Sequence, residues 1–152
     1  MLLKVAVKKI EESDVFKEFK ESNPDYELAH AFCTIENIQS DWQVGYHSHS
    51  TDKSVVFNVG KEVTKNPEQE VFKKPETKVS HLDLSKIKID LEKALDIAET
   101  IVKENYSAEI FNKTIVIVQN LGEELYNLTL VSQTLNIVNI RISAVTGNVI
   151  RH

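Results

Sequence analysis

The chain has 152 residues, 41% of them hydrophobic and 27% charged, and carries a net charge of -5 with its lysines interleaved among acids. That balance describes a globular chain long enough for one domain or two small ones sharing a core. It offers no basic stripe to bind nucleic acid, and the single cysteine, Cys33, excludes an intramolecular disulfide and a cysteine-rich zinc site.

The N-terminal segment lacks the apolar run and cleavage site of a leader. No stretch reaches the roughly 18 apolar residues that span a bilayer. Read as it stands, the chain is expected to be soluble and cytoplasmic, with no membrane span. A secreted or envelope-tethered chain whose leader or anchor had been removed would read the same.

The first predicted element is a short helix capped by Ser13, with Val15, Phe16 and Phe19 on its apolar side, ending at Ser22-Asn23-Pro24 because proline cannot continue it. Residues 26–35 read as a strand with Tyr26, Leu28, His30 and Phe32 on one face. Residues 41–49 alternate so that Trp42, Val44 and Tyr46 point together, and 54–59 place Val55, Phe57 and Val59 on a common face. Trp42 and Tyr46 are expected in the core against Phe16 and Phe19. Residues 61–86 hold Pro67, Pro75 and many charges, so they read as a linker or a surface strap that Val71-Phe72 would pin.

The strongest signal follows. Leu91, Ala94, Leu95, Ala98, Ile101 and Val102 recur at three- and four-residue steps, predicting a helix over 90–105 with Asp90 as N-cap. Thr114 to Val118 is β-branched throughout and predicts a strand. A turn at Leu121–Glu124 leads to 125–132, where Tyr126, Leu128 and Leu130 alternate with Asn127, Thr129 and Val131. In 135–144, Val138, Ile140 and Ile142 alternate with Asn139, Arg141 and Ser143, and Thr146-Gly147-Asn148 supplies a tight turn before Val149-Ile150.

Set side by side, Trp42-x-Val44-x-Tyr46 matches Tyr126-x-Leu128-x-Leu130, and Val55-x-Phe57-x-Val59 matches Val138-x-Ile140-x-Ile142. The fold class expected is therefore α+β: two helix-plus-antiparallel-meander (α-β-β-β) units over 1–60 and 87–152, joined by the charged, proline-containing segment 61–86. The match is one of pattern, with little identity behind it.

Lys88-Ile89-Asp90-Leu91-Glu92-Lys93-Ala94-Leu95-Asp96-Ile97-Ala98 resembles the helix opening of PepSY domains. Asn139 to Ile150 resembles their closing strand and Thr-Gly turn, although Ser143 stands where the family usually carries an acid. The resemblance covers residues 86–152, and 10–63 only as pattern. It implies a cystatin-like shape, no catalytic residues, and a secreted or membrane-tethered setting in which such domains are proposed to inhibit or regulate peptidases.

Candidate chemistry is sparse. His47-Ser48-His49 would point two imidazoles the same way on a strand, a weak metal candidate. Alternation away from Trp42, Val44 and Tyr46 predicts both on the solvent face, and a third ligand such as His30 or His81 would have to arrive by folding. Cys33 has no base beside it and reads as a small buried hydrophobe. Glu11-Glu12 and Glu123-Glu124 occupy solvated positions unsuited to acid catalysis. Three Asn-x-Ser/Thr sequons begin at Asn105, Asn112 and Asn127.

The expected function is non-catalytic binding of a protein or peptide, with a peptidase as the partner the resemblance implies, and without a cofactor. Docking would use the wet sheet face or an exposed edge strand, with self-association through edges as a variant. Asn127, Thr129, Asn139 and Arg141 are the expected contacts in the second unit, and Gln43, His47 and His49 in the first. The alternative is a small-ligand binder or enzyme of cystatin-like shape with a pocket between helix and sheet, which more than one ionisable lining side chain would favour. A His-based metal protein is the third reading.

Overall fold

Residues 1–67, 69–70 and 79–152 are described by the structure, a computed structural model; Val71-Phe72 lie outside the described residues. The N-terminal segment, for which the sequence reading predicts no element, is helix α1 (Leu3–Glu11). Leu3, Ala6, Val7 and Ile10 fall at helical spacing and all are buried. Helix α2 (Asp14–Ser22) follows at once, with Ser13 Oγ accepting the Phe16 N–H at 3.3 Å. Asn23 closes it, its Nδ2 donating to Phe19 O at 2.9 Å. Helix α3 (Leu91–Asn105) begins where Asp90 Oδ1 accepts the Lys93 N–H at 2.9 Å, as its sequence predicts.

The strands are β1 (Glu27–Ile35), β2 (Trp42–Ser48), β3 (Lys53–Val59), β4 (Val63–Lys65), β5 (Gln69–Glu70), β6 (Phe111–Asn120), β7 (Glu124–Ser132), β8 (Ile137–Ser143) and β9 (Val149–Arg151). They form one antiparallel sheet in the order β4-β3-β2-β1-β6-β7-β8-β9, with β5 also beside β3. The segment expected as a linker thus supplies strands to one edge. At the centre, β1 pairs with β6 from His30↔Gln119 to Ile35↔Thr114, so the earlier and later strands share one ladder.

One sheet face carries the core. Ala31, Cys33, Trp42, Val44, Tyr46, Phe57, Val116, Val118, Tyr126, Leu128, Ile140 and Ile142 meet Leu3, Val7, Ile10 and Phe16 of the first two helices and Ala94, Ala98 and Ile101 of α3. Each large side chain buried there is worth about 1.5–3 kcal/mol. Phe16 meets Tyr46 at 4.9 Å in a tilted contact, as expected, and also meets Phe57 edge-on at 5.3 Å, while Phe19 meets Tyr26 edge-on at 5.0 Å. Cys33 is fully buried, and burial pushes its thiol up to about 12.

Strand β1 corrects the face read from its alternation. The register shifts between Leu28 and His30, a bulge that leaves Leu28 opposite core-facing Tyr46 but sets His30 opposite Gly45. His30 and Phe32 therefore lie on the helix-free face, and Ala31 and Cys33 take the core. The end of the segment expected as a linker or strap, with the residues that follow it to 90, runs across one end of the sheet. The Leu82 N–H donates to Leu28 O (2.9 Å), the Asp83 N–H to Glu124 Oε2 (3.0 Å) and the Ile89 N–H to Ala144 O (3.0 Å). Leu82 and Ile87 are buried, so this part of the strap is docked.

Candidate functional site

Three regions compete: the helix-free face, a crevice between helices and sheet, and a cluster of histidines at the sheet's end. The register places Gln43 of β2, Asn127 and Thr129 of β7, and Asn139 and Arg141 of β8 on the helix-free face, five of the seven residues the sequence nominates. Gln43 is exposed and the other four are half-buried. Between them on the same face lie half-buried Phe32, Ile115 and Ile117, which the sequence reading did not single out. Asn139 Nδ2 donates to Asn127 Oδ1 (2.6 Å) and Thr129 Oγ1 (3.2 Å), whereas the buried Nε of Arg141 has no acceptor among the described residues. Beside this patch the outer edge of β8 is half covered: β9 pairs with it only near Arg141 and Ile142, leaving Ile137 exposed.

The crevice, about 610 Å³, opens on the helical side, where the start of α1 faces the start of α3. Leu3, Ile35, Trp42, Leu95 and Tyr126 give it an apolar lining. Its acidic and basic side chains, Lys4, Lys88, Asp90 and Glu92, are exposed, and the one buried ionisable group, Tyr126, donates its hydroxyl to Ile89 O at 2.6 Å. Lys4 Nζ donates to Ile87 O at 3.2 Å and Asp90 caps α3. A rim of solvated charges satisfies the count that would favour an enzyme, but places no titratable pair in a desolvated floor where acid–base chemistry needs it.

The histidines overturn one expectation. His47, predicted on the solvent face, is 1% exposed. Alternation correctly turns it away from Trp42, Val44 and Tyr46, but the strap covers that end of the sheet. His49 follows in the β2–β3 turn and is exposed, and His81 comes with the strap. One ring nitrogen from each of the three lies within 4.8 Å of the other two. The rings of His49 and His81 stack at 4.1 Å, and that of His47 stands 5.1 Å from His49 and 5.8 Å from His81. His30, the other third ligand considered, instead lies over Gly45.

Each imidazole is held through one nitrogen. His47 Nε2 donates to Asp52 Oδ1 (2.8 Å), His49 Nε2 to Val79 O (2.8 Å), and His81 Nδ1 to Glu27 Oε2. Asp52 reaches its place from a left-handed backbone conformation (φ 55°), which closes the turn with its N–H on Ser48 O (2.8 Å). His47 Nδ1 and His81 Nε2 are buried and take no hydrogen bond among the described residues. Burial holds the His81 imidazole below its ordinary pKa; hydrogen bonding and charge from Glu27 oppose this, while His49 and His47 reinforce it.

No family model matches the chain, and no curated protein does. Among solved structures, the fold is similar to the crystal structure of a putative lipoprotein from Clostridium difficile 630, with a TM-score of 0.57 at 16% identity over 94% of this chain and 91% of that one. At that identity the likeness is one of fold. No helix among the described residues is long and apolar enough to cross a membrane.

Proposed function

We propose that this chain is a non-catalytic protein- or peptide-binding module, built as two PepSY-like α-β-β-β units and working in the cell envelope. The observation that carries the reading is the helix-free face. Gln43, Asn127, Thr129, Asn139 and Arg141 share it with Phe32, Ile115 and Ile117, an apolar strip in a polar frame next to a partly unpaired strand edge. Such a surface suits an extended segment, which would add main-chain hydrogen bonds along β8 and set an acidic group against the half-buried guanidinium of Arg141. A peptidase's extended loop is one occupant of that shape, in keeping with the PepSY resemblance.

Two features support the tandem arrangement. Helix precedes meander in both halves, and β1-β2-β3 and β6-β7-β8 run outward in opposite directions from the shared β1:β6 pair. The envelope setting draws on the fold likeness to a protein described as a lipoprotein. The test is an amide-resolved NMR titration with a degenerate library of extended peptides. Shifts should concentrate on β7 and β8 and weaken in Arg141→Glu. Uniformly silent β7 and β8 amides would sink the reading.

The apolar crevice favours a second reading, a carrier of a small apolar ligand, since its size is that of ordinary small-molecule sites. A solvatochromic dye competing with fatty acids for the crevice, and lost on Leu95→Arg, would select it.

A further inference from the structure

We propose that His47, His49 and His81 form a binding site for one divalent transition-metal ion of zinc type, with a coordination position left open. The proposal does not depend on what docks on the sheet face.

The argument starts from tautomers. A neutral imidazole donates through one nitrogen and offers a lone pair on the other. All three rings donate to oxygen acceptors: the carboxylates of Asp52 and Glu27 and the carbonyl of Val79. The lone pairs therefore remain on His47 Nδ1, His81 Nε2 and His49 Nδ1. The first two are buried without a hydrogen bond among the described residues. A buried polar nitrogen left unpaired has lost its hydration without a replacement, and here two occur in the same cluster. An ion accepting both lone pairs makes good that loss.

The supporting groups fit the same chemistry. Imidazoles that bind metal hand their other N–H to a carboxylate, carbonyl or water, which fixes ring orientation and raises basicity. Each ring in this cluster has such a partner. Three imidazoles suit zinc, and also cobalt, nickel and copper in their divalent states.

Metal–nitrogen bonds of about 2.0–2.1 Å bring tetrahedral ligand atoms to roughly 3.3 Å apart. One ring nitrogen of each lies within 4.8 Å of the other two, and an imidazole lone pair lies in its ring plane, so binding requires a contraction and also that His49 turn out of its near-parallel stack on His81. His49 sits on an exposed turn, held by its hydrogen bond to Val79 O, and is the ring placed to make that movement. The ion would join a hairpin to the strap across more than 30 residues of chain.

The experiment is equilibrium dialysis of the whole chain against zinc alone, with cobalt substitution as a spectroscopic reading of geometry. One equivalent of zinc should bind in the micromolar range, and the cobalt form should show the intense visible bands of a tetrahedral nitrogen site. Since His47 is buried and its removal endangers folding, the deciding variants are His49→Ala and His81→Gln. Each should weaken zinc by on the order of 100-fold, and Asp52→Asn by about 10-fold, with the metal-free fold kept by circular dichroism. No zinc uptake up to about 1 mM would overturn the proposal. So would full-strength binding that survives His49→Ala and His81→Gln, which would place the ion elsewhere.

Discussion

Gly45 and His30 show how a single pair of residues sets a local surface. A Cβ added at Gly45 would stand 2.1 Å from His30 Cε1, so only glycine lets the imidazole lie flat across β2. Gly45→Ala is expected to destabilise the fold by about 1–3 kcal/mol in urea titrations. The double variant Gly45→Ala/His30→Ala should recover much of that loss, because the clash is a pair property. His30 also carries a pH prediction. Burial holds its pKa below the ordinary value near 6.5. Above that value both folded and unfolded chains are neutral there. As pH falls below it, the unfolded chain takes the proton that the folded chain resists, so stability declines until the depressed folded pKa is reached. Stability measured between about pH 7 and pH 5 should fall less steeply in His30→Gln.

At the scale of elements, α3 and strands β7 and β8 were legible because their periods were unbroken and their caps and turns carried residues with a local mechanism, such as Asp90 and Gly147. Helix α1 was equally periodic, but Leu3, Ala6, Val7 and Ile10 drew a test for a leader rather than for an amphipathic face. The bulge in β1 defeated alternation, since one extra residue reverses every later side chain. His47 shows a different limit. Alternation fixes which face a residue occupies, while whether that face is wet depends on a strap more than 30 residues away. The same distance hid the meeting of His81 with His47 and His49. If α1 is integral to the core, Ile10→Ala should cost about 2–5 kcal/mol, read by chemical denaturation. Asp90→Ala should cost about 1 kcal/mol through loss of the α3 cap.

For the whole molecule, the β1:β6 ladder is decisive. It makes one sheet of strands that the sequence divides between two units, with Ala31 and Cys33 packed beside Val118 and Val116. Two separately stable units would unfold in two steps, whereas a shared ladder and core predict one. Trp42 fluorescence, which reports the first half, and the amide NMR signals of β7 and β8 in the second should trace superimposable urea transitions. Amides of β1 and β6 should be the last to exchange with deuterium.

The lone thiol on that ladder offers a practical handle. Closed off from solvent and hard to ionise, Cys33 cannot meet an alkylating reagent while the central strands stay zipped. Its labelling half-life under native conditions is therefore a clock for how often the middle of the molecule opens. An occupant that grips the sheet, whether ion or peptide, should slow that clock without touching the sulfur.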